Sequence, residues 1–195
     1  IAPIFTGILA HFFLEGEKMK KSIVLGFVCA MAGICLITFQ KGETVELNPL
    51  GDFLGVAAAA IWGVYSICSR KIAGFGYDTI ITTRRTFFYG ILFMLCALPF
   101  MDFHLSLSAL LKPVNLGNII YLGVGASAIC FVTWNYAVKS LGATRASVYI
   151  YGIPVVTILM SIPLLHEVIT FQAVAGTVLT LVGLLISEWP FSPKK

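Results

Sequence analysis

The polar side chains that could contact a solute are few, and they lie within long apolar segments. Trp62, Tyr65, Ser66 and Ser69 follow the i, i+3, i+4, i+7 spacing that places residues on one face of a helix. Aromatic faces of this kind suit amino acids, amines and flat cations. The stripe predicts either a wet cavity that binds a solute or a surface that packs against neighbouring helices, and the spacing alone does not decide between them.

A second candidate site lies in the sixth apolar segment, where Tyr151 and Pro154 share a helical face with Ser147. Proline cannot donate a backbone hydrogen bond, so it leaves a carbonyl free one turn upstream. Broken backbone at membrane depth is found mainly where it lines a cavity. The alternative is a simple packing kink.

Three more residues are candidates for a solute cavity. Trp134 and Asn135 lie near one end of the fifth segment, where the alternative for the aromatic residues is an interfacial belt. Asn135 must find a hydrogen-bond partner if it faces protein rather than water. Arg85 shares a face with Thr82 and Tyr89 and could contact an anion, although most such arginines reach out to lipid headgroups.

Residues for catalysis or metal binding are not indicated. The five cysteines all lie inside apolar segments, no CxxC or HExxH motif occurs, and we expect buried free thiols, no metal, no cofactor and no enzyme activity. The carboxylates Glu17 and Glu167 lie in short polar links, near the ends of apolar segments rather than at their centres. We expect them to cap helix ends or to order the links.

The composition requires a lipid environment. Hydrophobic residues make up 58% of the 195 residues, charged residues 11%, and the mean hydropathy is +0.95. A water-soluble domain of this size cannot cover so much apolar surface. The net charge of +4 comes from cations in short links, and it does not indicate nucleic-acid binding.

The apolar segments predict an all-α protein with seven hydrophobic helices, since a spanning helix needs about 20 mostly apolar residues. Asn48 and Asp78 are candidate N-caps, and Leu105, Leu107, Leu110 and Leu111 predict a short amphipathic turn. The predicted spans are Ile1–Leu14, Ser22–Phe39, Pro49–Ile67, Thr79–Phe100, Leu116–Val138, Ala146–Leu165 and Thr170–Ser187.

The first and last helix pairs repeat one pattern. Glu17 precedes Gly26 by nine residues and Gly26 precedes Gly33 by seven, and the spacings of Glu167, Gly176 and Gly183 are the same. Only the prolines are one residue out of register. Glycines seven apart share a helical face that lets another helix approach closely, so all four glycines are predicted packing positions. We interpret the pattern as an internal repeat.

The cations predict the topology. If the links alternate sides, eleven Lys and Arg residues lie on one side and only Lys41 and Lys112 on the other. The cation-rich side is predicted to be cytoplasmic, and with it the C-terminus and the Glu17 link, whereas the Glu167 link is predicted to be outside. The two copies of the repeat would therefore be inverted, an arrangement that lets a transporter expose one central site to either side in turn.

The chain resembles the EamA family of the drug/metabolite transporter superfamily. The resemblance rests on PIFTGILAHFFLEGEKMKKSIVLGFVCAMAGICLITF, AAAAIWGVYSICSRK, YLGVGASAICFVTWNYAVKSLGATRASVYIY and IPVVTILMSIPLLHEVITFQAVAGTVLTLVGLLISE. It implies a ten-helix fold of two inverted five-helix repeats and an activity in metabolite export. Residues 1–39 would be the last two helices of the first repeat, the first of them truncated. Residues 49–188 would be the second repeat, and residues 189–195 a cytoplasmic tail.

The predicted function is secondary transport of small metabolites, such as amino acids or drug-like compounds, out of the cell by alternating access. A non-transporting membrane scaffold is the alternative, and an intramembrane enzyme is a weaker one because no nucleophile–base pair or ligand motif occurs. The predicted partners are a small-molecule solute and the lipid of a bacterial-type plasma membrane, with no nucleic acid. A homodimer through small-residue faces is an open alternative to internal packing.

Overall fold

The computed structural model describes residues 2–17, 20–38, 48–101, 106–165 and 170–188, and every regular element in those ranges is helical. The α-helices are α1 Ala2–Phe13, α2 Lys21–Thr38, α3 Pro49–Gly74, α4 Thr79–Ala97, α5 Leu107–Leu110, α6 Pro113–Ile120, α7 Cys130–Leu141, α8 Ala143–Val148, α9 Ile153–Leu165 and α10 Phe171–Glu188. The 3₁₀ turns are Leu98–Phe100 and Tyr149–Gly152, and Tyr121–Ile129 is a π-helix.

These helices form the spans that the apolar segments predict. Five stretches in the described ranges are long and apolar enough to cross a membrane, and α1 and the α10 stretch Phe171–Ser187 are shorter apolar helices. The two predicted caps are present, because the Asn48 carboxamide accepts from the Gly51 N–H at 3.1 Å and the Asp78 carboxylate accepts from two N–H groups of α4. The all-α, multi-span fold class is therefore confirmed.

Two spans are less regular than a simple helix. The fifth runs from Pro113 to Leu141 and contains the nine-residue π-helix, in which backbone bonds reach back five residues. The sixth is interrupted by the 3₁₀ turn that ends just before Pro154. Since Pro154 has no N–H to give to the Ile150 carbonyl, the Ile153 N–H donates to that carbonyl in the tighter 3₁₀ pattern.

The described chain separates into two compact units. The first contains residues 1–68 and 141–195, and the second contains residues 69–140, so the division falls within α3. The predicted repeat boundaries at residues 39, 49 and 188 stay a prediction. Leu105, Glu167 and the tail at 189–195 lie outside the described residues.

The centre of the first unit is the contact between α2 and α10. A Cβ atom built on Gly183 would lie 2.7 Å from the Gly26 carbonyl oxygen, and one built on Gly176 would lie 2.6 Å from the Gly33 carbonyl oxygen. The early glycine of each helix therefore lies against the late glycine of the other. The two helices run antiparallel, with their backbones in direct contact.

The burial pattern repeats along these two helices at an offset of 150 residues. Gly26 and Gly176 are both buried, as are Ala30 and Thr180, and Gly33 and Gly183. Gly26 lies against Gly183, which is the counterpart of Gly33, and Gly33 lies against Gly176, which is the counterpart of Gly26. A local twofold axis relates positions on two helices in this way. Because the helices are antiparallel, that axis lies across them, as in inverted repeats.

The turn Tyr149–Gly152 and the helices α8 and α9 pack against α10. Ala30 and Val148 form a small buried cluster with Tyr151, and α1 packs against α8. In the second unit the Phe87 and Phe131 rings meet edge to face with centroids 5.2 Å apart, which joins α4 to α7.

Candidate solute site and helix clamps

The aromatic stripe of α3 is formed as the spacing predicts. The Trp62 and Tyr65 rings lie with centroids 5.6 Å apart and planes inclined at 42°, and both side chains are half-buried. Ser66 is fully buried and its hydroxyl donates to the Trp62 carbonyl at 2.9 Å. This bond satisfies the hydroxyl within the helix, so the two rings are the parts of the stripe best able to contact a solute.

Helix α1 reaches α3 beside this aromatic pair. A Cβ atom built on Gly63 would lie 3.2 Å from the Leu9 Cδ1 atom and 3.2 Å from the Thr6 nitrogen, so the missing side chain permits the contact. Thr6 is fully buried, and its hydroxyl donates to the Ala2 carbonyl one turn earlier. The ring pair thus flanks a close helix–helix contact.

Asn135 in the second unit joins three helices. The Ser69 hydroxyl donates to the Asn135 Oδ1 atom at 2.7 Å, and the Asn135 Nδ2 atom donates to the Thr83 hydroxyl at 2.9 Å. Thr83 in turn donates to the Thr79 carbonyl at 2.7 Å. Asn135 is only 8% exposed, and both ends of its amide bond to neighbouring helices, which is an arrangement that braces α3, α4 and α7.

Two cations stabilise the chain around the end of α7. The Arg70 guanidinium donates to the Lys139 carbonyl at 2.7 Å and more weakly to the Val138 carbonyl at 3.4 Å. The Lys139 ammonium donates to the Tyr77 carbonyl at 3.1 Å. Positive side chains at the end of a helix satisfy its last carbonyls and oppose its negative dipole end.

The other predicted cavity residues of the second unit have different surroundings. Trp134 precedes Asn135 and is half-buried, whereas the Arg85 side chain is exposed. Asn135 therefore belongs to the hydrogen-bonded cluster of this unit, whereas none of the described contacts joins Arg85 to that cluster.

Tyr151 and Pro154 belong to the first unit. Tyr151 is 3% exposed and its ring centroid lies 6.1 Å from that of Phe27, so it is part of the packed centre around α2. Pro154 is half-buried near an open groove of about 660 Å³ along α9. The groove is lined by Tyr149, Gly152, Ile153, Val156, Thr157, Met160, Ser161 and Leu164.

The contacts of Glu17 could not be found from the sequence. Its Oε1 atom accepts from the Ala143 N–H at 3.2 Å, and its Oε2 atom accepts from the Thr144 N–H at 3.0 Å and the Thr144 hydroxyl at 3.1 Å. The carboxylate therefore caps the start of α8, where the helix dipole favours an anion. Gly142 has φ +92°, and a Cβ atom on it would lie 2.7 Å from Oε1.

A sequence signal for this clamp exists only in part. Gly142 before the sixth span is compatible with a turn, and Glu17 in a polar link is expected to cap a helix end or to order the link. The two residues are more than 120 positions apart, and no periodicity relates them. The sequence could therefore predict that Glu17 caps a helix, but it could not predict that this helix is α8.

Comparison with known proteins places the chain in a family. The profile of the EamA-like transporter family matches residues 49–189. The chain belongs to the EamA-like transporter family. The apolar helices and the family membership together show that the chain belongs to an integral, multi-pass membrane protein.

The chain is also similar to individual proteins, each at a low sequence identity. It is 28% identical to "Uncharacterized transporter YyaM" of Bacillus subtilis and 31% identical to an "Uncharacterized transporter" of Archaeoglobus fulgidus, covering 95% of this chain in each case and 61% and 64% of theirs. It is 28% identical to a "Probable terminal-alkyne amino-acid exporter" of Streptantibioticus cattleyicolor, over 95% of this chain and 60% of that one. The chain thus spans about three fifths of the length of these relatives.

A solved structure has the same fold. It superposes with a TM-score of 0.74 and covers 95% of this chain and 63% of the other, at 22% sequence identity.

Proposed function

We propose that the protein of which this chain is a part exports small metabolites by alternating access. The observation that carries the proposal is the contact between α2 and α10, in which Gly26 lies against Gly183 and Gly33 against Gly176. Such a contact is expected between helices of two inverted halves and supports that arrangement, and inverted halves can present one central site to either side of a membrane. Membership of a transporter family supports the same conclusion.

The proposed solute is an amino acid or a drug-like amine with an apolar or aromatic part. The Trp62 and Tyr65 rings supply an aromatic surface on α3, and such surfaces bind apolar groups and cations. The name of the exporter from Streptantibioticus cattleyicolor supports an amino-acid-like solute. The further proposed cavity residues are Ser66, Arg85, Trp134, Asn135, Tyr151 and Pro154.

The proposed orientation places the C-terminus in the cytoplasm of a bacterial-type cell, with the protein in the plasma membrane. The excess of Lys and Arg on one side supports this orientation. Lys20 and Lys21 belong to that excess, so the start of α2 is proposed to face the cytoplasm. No nucleotide-binding motif occurs in the chain, and we propose that an ion or solute gradient provides the driving force.

A transport assay on the full-length protein tests the proposal. Proteoliposomes loaded with a radiolabelled amino acid should exchange it for external unlabelled amino acid, and empty liposomes should not. A panel of amino acids, amines and aromatic acids identifies the class. Absence of exchange across the panel, from protein shown to be folded and inserted, would favour a membrane scaffold instead.

A further inference from the structure

The contact between Glu17 and the start of α8 joins two links that are far apart in the sequence. In this contact, the Glu17 clamp, the carboxylate accepts from the Ala143 N–H, the Thr144 N–H and the Thr144 hydroxyl at 3.2, 3.0 and 3.1 Å. Such a contact requires both links to lie on the same side of the membrane. The cations predict this independently, because the Glu17 link and the link with Lys139 and Arg145 are both on the cation-rich side.

The helices that the Glu17 clamp holds together bury small side chains. Helix α1 packs against α8, and Ala10 of α1 and Ala143 and Ala146 of α8 are at most 2% exposed. In lipid, helices gain no association energy from the hydrophobic effect, so close packing and polar bonds hold them together. Hydrogen bonds to an ionised group are stronger than those between neutral groups. The Glu17 clamp is therefore a large part of what joins these two helix ends.

The Glu17 clamp is specific when closed, and it can also open. Gly142 has φ +92°, and a Cβ atom on it would lie 2.7 Å from the Glu17 Oε1 atom, so glycine leaves the space that the carboxylate enters. Glu17 itself is only half-buried. Water can therefore replace the three donors when the links separate, and the net free energy of opening stays small compared with the strength of the bonds.

Helix α1 connects the Glu17 clamp to the aromatic stripe of α3. A Cβ atom on Gly63, the neighbour of Trp62, would lie 3.2 Å from the Thr6 nitrogen and 3.2 Å from the Leu9 Cδ1 atom. Phe13, the last residue of α1, is about two helical turns from Thr6. A movement that separates Glu17 from α8 therefore displaces the end of a short helix whose other contact lies beside the proposed solute site.

We infer that the Glu17 clamp closes the cytoplasmic end of the solute path and opens when the transporter faces the cytoplasm. Alternating access needs contacts that hold one side closed and break in every cycle. The Glu17 clamp has both properties, since three bonds form it and water can replace each of them. The inference rests on the proposed function and adds the contact that controls access from one side.

Distances between spin labels on α1 and α8 test the opening. Phe12 and Arg145 are exposed, and both are changed to cysteine and labelled in full-length protein without its native cysteines, in proteoliposomes. Glu17→Ala should raise the ratio of long to short distances about tenfold, the factor that corresponds to one lost hydrogen bond to a charged group. Glu17→Gln, which keeps one acceptor oxygen, should raise it less. Glu15→Ala in the same link is the control and should leave it unchanged.

Holding the Glu17 clamp shut tests whether its opening is needed for transport. The double variant Glu17→Cys/Thr144→Cys is bridged with a short bifunctional thiol reagent that reduction cleaves, and solute exchange should be lost on bridging and return on reduction. Unchanged distances in both Glu17→Ala and Glu17→Gln, or normal exchange by fully bridged protein, would overturn the inference. The distance measurement uses no solute, so it decides on the opening of the Glu17 clamp even if no solute of the panel is exchanged.

Discussion

Gly33 and Gly176 exclude each other's side chains. A Cβ atom on Gly33 would lie 2.6 Å from the Gly176 carbonyl oxygen, and a Cβ atom on Gly176 would lie 2.6 Å from the Gly33 carbonyl oxygen. Neither obstacle is a flexible side chain, because both are backbone atoms. The contact between α2 and α10 therefore depends on glycine in both helices.

Gly33→Ala should destabilise the protein by about 1–3 kcal/mol, the usual cost of forcing an extra methyl group into a close contact. Gly90→Ala is the matched control, because no atom lies within 4 Å of a Cβ at Gly90 in α4. Thermal unfolding in detergent measures both. A Gly33→Ala variant as stable as Gly90→Ala would show that α2 and α10 do not pack as described.

Glu17→Ala should destabilise the first unit by about 1.5–3 kcal/mol, because the start of α8 loses a charged acceptor of three hydrogen bonds. Glu17→Gln keeps one acceptor oxygen and should cost less. The exposed Glu15 in the same link gives the control, Glu15→Ala. Chemical unfolding in detergent ranks the variants, and equal stability of the two alanine variants would contradict the clamp.

Much of the fold follows from local patterns. Asn48 and Asp78 were predicted as N-caps from the residue types that begin apolar segments, and the structure confirms both. The spans follow from segment length and hydropathy, since these properties are set by the bilayer rather than by distant residues. The glycine spacing predicted helix packing, and the structure places those glycines between α2 and α10.

Other features depend on contacts between distant residues. The π-helix Tyr121–Ile129 has an ordinary apolar helix composition, so nothing in its sequence separates it from α-helix. The partners of Glu17 and of Asn135 lie on helices that are remote in sequence. A side chain's hydrogen-bond partner is decided by tertiary packing, and the sequence could predict only that Asn135 needs one.

Asn135→Ala should destabilise the second unit by about 1–3 kcal/mol, because the Ser69 and Thr83 hydroxyls lose their buried partner. Thr133→Ala is the control on the same helix, since Thr133 is exposed and its hydroxyl donates to the Ile129 carbonyl one turn earlier. Amide hydrogen exchange of α3, α4 and α7 should report the loosening. Unchanged exchange in Asn135→Ala would contradict the bracing role.

Trp62→Ala should lower transport efficiency about tenfold without reducing membrane insertion, because the proposed aromatic contact to the solute is lost. Ile61→Ala is the neighbouring control, since the Ile61 side chain is 68% exposed. Solute exchange in proteoliposomes and the amount of inserted protein are measured together. Normal exchange by Trp62→Ala would remove the α3 stripe from the solute site.

The most direct test concerns the opposite orientation of α2 and α10. Lys20 and Thr170 are 150 residues apart, precede α2 and α10 and are both exposed. Each is changed to cysteine, one at a time, in full-length protein without its native cysteines, and intact cells are treated with a membrane-impermeant maleimide. We predict that Thr170→Cys is labelled from outside and that Lys20→Cys is labelled only after the membrane is opened. Labelling of both positions from the same side would contradict the inverted arrangement.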